Sequence, residues 1–258
     1  AMTLGALPPA YEHLIYLVGY SIGADCRNIG IDINLAPVAD VNTNPNNPII
    51  GMRAFGDNAN AVARKASLFA RGMHDAGIIS CFKHAPGHGD TQTDSHHTHA
   101  HVTHDYQTLR TNALVPFMHI PHNYSMIMSA HITLTGMPDT IDATIPFSLN
   151  AAALNKLIRD DCAFDGVIIT DGLGMRAVSN VYQSGILECQ ALIAGNDMLL
   201  CPLNTAAAYQ KIMDALDNGI FPAHNLAKKI DRVKALRAHA INNARIRTPI
   251  IDHTIRDT

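Results

Sequence analysis

Charge is scarce in this chain. Only 16% of residues are Asp, Glu, Lys or Arg, and the formal balance is -3. Without a basic excess there is no field to draw in a phosphate backbone or an anionic bilayer, so nucleic acid is not an expected partner. No apolar run reaches the ~20 residues of a membrane span and no stretch reads as a secretory signal, from which a cytoplasmic location is expected. The cysteines (Cys26, Cys81, Cys162, Cys189, Cys201) are odd in number, widely spaced and mostly set among apolar neighbours. That pattern excludes a disulfide framework or a zinc knuckle and suits reduced core thiols.

What is present is apolar: 47% of 258 residues are hydrophobic, enough for one large core and a single domain spanning 1–258. Short apolar runs alternate with helical spacing. Ile31 to Val38 reads as a strand; Val62, Ala66, Phe69, Ala70 and Met73 recur at helical spacing, and Gly77 stops that helix. Ile78 to Phe82, Ser125 to Ser129, Val167 to Thr170 and Met198 to Leu200 read as further strands. Helices are expected from Tyr106 to Ile120, after Ser148 as N-cap, up to Gly195, and through the tail from Ala206 to Arg245. Five brief strands separated by helices imply parallel βαβ units, because tight hairpin turns are missing.

Four of the five strands carry polar groups just beyond their carboxyl ends: Asp40, Lys83 with His84, His131, and Asp171. Polar residues strewn at random would not collect on one end of successive strands, so an α/β barrel whose loops converge on one pocket is expected. The run Lys83-His84-Ala85-Pro86-Gly87-His88-Gly89-Asp90-Thr91, with Asp94-Ser95-His96 after it, supplies the densest chemistry. Pro86, Gly87 and Gly89 forbid regular structure and let the backbone approach a ligand.

Asp171 follows four apolar strand residues and precedes Gly172, which makes it a candidate nucleophile; the plain alternative is a helix N-cap. Retaining glycosidases pair such a carboxylate with a group about 5 Å away that protonates the leaving oxygen. Asp94-x-His96 offers an imidazole with a carboxylate to hold its tautomer, where the plain alternative is an Asx turn. His97, His99 and His101 could converge on zinc if extended, but no His-Glu-x-x-His helix and no second ligand cluster accompanies them, so neither metal nor cofactor is expected.

These residues together resemble the β-N-acetylhexosaminidases of glycoside hydrolase family 3, bacterial enzymes of peptidoglycan turnover. The likeness runs through Ala36 to Val41, Gly51 to Asp57, Lys83 to Asp90 with Asp94-Ser95-His96, Met128 to His131, and Phe164 to Asp171. The resemblance implies a (β/α)8 TIM-type barrel, of which about five βα units are visible. It also implies Asp171 as nucleophile, His96 as acid/base and Asp94 as its partner. Arg53, Lys83 and His84 then hold the sugar, and His131 is placed with them as a substrate-binding residue. The implied reaction is retaining exo-hydrolysis of terminal GlcNAc from muropeptides through a covalent glycosyl-Asp intermediate.

Three departures from the family pattern stand out: Ala85 replaces the usual Phe, His97 to Ala100 replaces the usual Leu-Pro, and Ala1 to Gly5 resembles an interior segment. From the last, a missing amino-terminal segment or self-association is expected to complete the barrel. Phosphorolysis, a non-catalytic sugar-binding role and a metal-dependent hydrolase are the alternatives to hydrolysis by the dyad.

Overall fold

The computed structural model describes residues 1–91, 100–121 and 124–246. Its centre is an all-parallel sheet of five strands: β1 (Ile33–Asn34), β2 (Ile79–Ala85), β4 (Ser125–Ser129), β6 (Ile168–Gly172) and β7 (Met198–Leu200), hydrogen-bonded in that order. A second parallel pair joins β3 (Ala100–Asp105) to β5 (Ile132–Gly136). Neighbours in the large sheet follow chain order with no reversal. That is the winding of a barrel, since a doubly wound sheet reverses its order at a switch point. Five expected strands are therefore present in a TIM-barrel-like α/β arrangement, and among the described residues β1 and β7 each have a sheet neighbour on one side only.

Period-two alternation sorts the strand residues between two faces. Phe82, Ile127 and Ile168 face the main core with the helices His13–Asn28 and Ala59–Asp75. Cys81, Met126, Met128 and Ile169 face the other way, where Val233, Leu236 and Ala240 of the long helix Ala223–Ile246 cover them. The two helices of the main core approach closely because Gly19 and Gly72 lack side chains: a Cβ on Gly72 would lie 2.2 Å from the Tyr16 carbonyl oxygen.

Several expectations are corrected. Strand β1 is only two residues long, because Pro37 lacks an N–H for the ladder; a lone bridge from Val38 to Lys83 continues the pairing. Strand β2 runs on through Lys83 and His84, and β6 includes Asp171. Strands β3 and β5 are not among the five expected strands. Tyr106 to Ile120 is not one helix but a chain of short turns, α, π and 3-10, ending at a turn that holds Pro116. The N-cap before Ala151 is Asn150, whose side chain accepts the Ala153 amide, and Ser148 is buried in a preceding turn. The tail is two helices, Thr205–Asp217 and Ala223–Ile246, separated near Gly219 (φ +70) and Pro222. No helix among the described residues is long and apolar enough to cross a membrane.

Candidate active site

A cavity of about 340 Å³ opens beyond the carboxyl ends of the strands, lined by Arg53, Lys83, His84, His88 and Asp171 over an apolar floor that includes Met128 and Leu200. Each polar group arrives by a local rule. Alternation from Cys81 and Ile169 turns Lys83 and Asp171 to the same face. The β2–β4 register is irregular between Phe82 and Ala85, which brings His84 to the cavity beside Lys83 rather than behind it. Arg53 comes from the loop 47–53. There Asn47 Oδ1 accepts the amides of Ile49 and Ile50 at 2.9 Å each, and Asn47 Nδ2 donates to the His88 carbonyl at 2.8 Å. One side chain thus ties the arginine loop to the histidine loop.

Beneath the cavity lies Asp40, fully buried. Its Oδ2 is 2.8 Å from His84 Nδ1 and accepts the His84 amide at 3.1 Å, while Oδ1 accepts the His88 amide at 2.6 Å. Burial alone would raise this carboxyl, but the imidazoles of His84 and His88 and the amide bonds outweigh it, and Asp40 is held below the usual carboxylate range. Arg53 Nη2 lies 3.5 Å from His84 Nε2. A guanidinium only donates, so Nε2 accepts and the His84 proton sits on Nδ1, toward Asp40.

His88 is also fixed. Thr91 Oγ1 donates to the His88 carbonyl at 2.9 Å and therefore accepts from His88 Nδ1 at 2.7 Å; burial pushes this imidazole down, against the pull of Asp40. Burial likewise pushes the Lys83 ammonium below its ordinary range, with Arg53 adding to the effect. Asp171 is half-buried, and its Oδ1 accepts the Gly172 amide at 2.8 Å. A carboxylate facing two cationic side chains and a tautomer-locked imidazole can bind a polyhydroxylated ligand and attack an electrophilic carbon.

The sequence profile described as the glycosyl hydrolase family 3 N terminal domain matches residues 1–236. The chain belongs to glycosyl hydrolase family 3. Beta-hexosaminidase A of Pseudoalteromonas piscicida is 30% identical over 255 residues, covering 92% of this chain and 43% of that protein. Beta-hexosaminidase of Methylococcus capsulatus is 36% identical over 225 residues, covering 82% and 65%. Among solved structures, a glycoside hydrolase family 3 beta-N-acetylglucosaminidase from Paenibacillus sp. str. FPU-7 superposes with a TM-score of 0.86 at 34% identity, covering 93% of this chain and 45% of that one. The chain thus spans about half the length of several relatives it matches.

Within this family 3 domain, Arg53, Lys83, His84 and Asp171 line one cavity. His131 does not join them. It is buried, with Nδ1 2.7 Å from Ser148 Oγ and Nε2 3.2 Å from the Gly172 carbonyl oxygen, so both ring nitrogens are occupied by protein. The expectation that His131 lies with the cavity groups is corrected: it is buried outside the lining. Asp94 and His96, with His97 and His99, lie outside the described residues, while His101 is exposed on β3. The anchoring role of Asp40 was missed, although its place at a strand end was a visible signal. Thr91 and Asn47 were missed too, and neither carries a spacing that marks it.

Proposed function

We propose that this chain carries the catalytic centre of a retaining β-N-acetylhexosaminidase that releases terminal GlcNAc from peptidoglycan fragments. The observation that carries the reading is the Asp171 carboxylate opening into the same cavity as Arg53, Lys83 and His84. Relatives named beta-hexosaminidase and a beta-N-acetylglucosaminidase structure support the substrate class.

In this reading Arg53 and Lys83 donate to sugar hydroxyls, and His84, held by Asp40, keeps Arg53 in place. Asp171 attacks the anomeric carbon as His96 gives its proton to the leaving oxygen, with Asp94 stabilising the imidazolium. The C–O bond to the leaving group breaks as the bond to Asp171 forms. His96, now neutral, then takes a proton from water, which attacks the anomeric carbon and frees the carboxylate. The five cysteines are free, which suits a reducing compartment such as the cytoplasm.

An aryl β-GlcNAc substrate tests the assignment. The wild-type chain should release aryl alcohol with or without phosphate and yield free sugar. Asp171→Ala should lower kcat by at least about 10³-fold, and a 2-fluoro-sugar inactivator should label Asp171. Sugar 1-phosphate as the product would replace hydrolysis by phosphorolysis, and a label elsewhere would remove Asp171 from its role.

A further inference from the structure

The reading above gives His131, an ionisable group close to Asp171, no task. His131 lies behind the end of β6, 2% exposed. The Gly172 carbonyl, 3.2 Å from Nε2, can only accept, so Nε2 carries the proton. Burial pushes His131 below the ordinary imidazole range, against the pull of Asp171, and so favours the neutral ring. In the neutral ring Nδ1 accepts the Ser148 hydroxyl, 2.7 Å away.

Ser148 is fixed in turn. Its carbonyl accepts Asn196 Nδ2 at 2.7 Å, and the same amide donates to the Ala191 carbonyl at 2.7 Å. Asn196 Oδ1 accepts Ser129 Oγ at 2.6 Å from the end of β4, and the Asn196 carbonyl accepts Lys229 Nζ at 3.0 Å from the long carboxyl-terminal helix. Asn196 is fully buried, and every polar atom of its side chain is paired. A chain of directional bonds thus runs from this hub to Ser148, to His131 and to Gly172. Residue 172 closes it: on the other side of its Cα from that carbonyl, its amide donates to Asp171 Oδ1 at 2.8 Å. The two contacts flank one Cα, so a displacement of residue 172 moves both.

We infer that His131 is a positioning residue: its Nε2–H grips the Gly172 carbonyl and so aims the Asp171 carboxylate, while Ser148 and Asn196 fix the ring's tautomer. The inference rests on the reading of Asp171 as nucleophile, since only then does its aim govern the rate. Placing a reacting group about 1 Å off its line costs on the order of 100-fold, and this network is built to prevent that.

Two variants separate aim from packing. A glutamine amide reaches the place of Nε2, an asparagine amide only that of Nδ1. His131→Gln should keep kcat within about threefold of wild type, while His131→Asn should lose about 100-fold in kcat with little change in KM. Ser148→Ala, which leaves the ring in place but frees its tautomer, should lower kcat in the same direction by less. Equal losses in His131→Gln and His131→Asn at matched melting temperatures would overturn the inference, as would a loss confined to KM. Nitrogen-15 spectra of His131 in the wild-type chain give a readout that needs no turnover: an Nε2–H tautomer is expected, and an Nδ1–H tautomer would overturn the inference by itself. Failure of the nucleophile reading shows differently, as turnover surviving in Asp171→Ala.

Discussion

Asp40 binds His84 twice, through the imidazole Nδ1 at 2.8 Å and through the backbone amide at 3.1 Å, both on one carboxylate oxygen. The other oxygen holds the His88 amide. A single buried carboxylate therefore sets the orientation of a cavity imidazole and the path of the loop that follows it.

Asp40→Ala leaves two buried amides and an imidazole N–H without acceptors. Each unsatisfied donor costs about 1–3 kcal/mol, so the variant should unfold at clearly lower urea concentration than wild type and bind GlcNAc more weakly. Titration calorimetry on the folded variant checks the second effect. A midpoint and an affinity both equal to wild type would show that the carboxylate does not organise the loop.

Gly89 tests the same loop from its other end. A Cβ there would lie 1.8 Å from the Val41 carbonyl oxygen and 2.5 Å from its carbon, both backbone atoms. The segments cannot separate without disturbing the bond from the Asn44 amide to the Gly89 carbonyl. Gly89→Ala should cost about 1–3 kcal/mol by overpacking and should weaken sugar binding, readable by thermal unfolding with and without GlcNAc. Unchanged unfolding would mean that the two loops are not packed against each other.

The proposed dyad makes a leaving-group prediction. His96→Ala should slow substrates with poor leaving groups far more than activated aryl glycosides, because only the former need a proton while the bond breaks. Asp94→Asn should follow the same trend more weakly. A Brønsted plot of kcat/KM against leaving-group pKa reads this directly, and an unchanged slope would take His96 out of the acid role.

Stability should depend on pH in a defined window. Burial pushes both His88 and His131 below the ordinary imidazole range, so the folded chain binds fewer protons than the unfolded one below about pH 6.5. Stability is then complete above that pH and declines as the pH falls toward 5, by at most about 1.4 kcal/mol per pH unit for each ring. Asp40, held low, acts in a separate window: its contribution is complete above about pH 3.9 and is lost below, as the folded carboxyl takes its proton. His131→Gln should flatten the fall between pH 7 and 5. Identical slopes in the two proteins would show that His131 is not held neutral by the fold.

Local pattern was enough to find the five sheet strands, the helix ending before Gly77, and the collection of Asp40, Lys83, His84, His131 and Asp171 at one end of the sheet. Apolar periodicity and turn residues act over a few positions, so they are readable along the chain. Family resemblance then supplied roles for Arg53, Lys83, His84 and Asp171. The pair β3 and β5 escaped because each needs a partner about thirty residues away, and Ala100–Asp105 alone is too polar to declare itself.

Which strand-end imidazole reaches the cavity is decided only in three dimensions. His84 and His131 look alike in sequence, each an imidazole at a strand end. One reaches the cavity because β2 breaks register, and the other is enclosed because Ser148 and Gly172, 17 and 41 residues away, meet both of its nitrogens. Ser148 reads as a helix cap and Asn196 carries no signal of its own in the sequence, yet both are buried members of one hydrogen-bonded hub. Hydrogen bonds between buried groups are decided by which strands and helices become neighbours. Composition and spacing determine which elements form, and packing alone determines which polar atoms find each other.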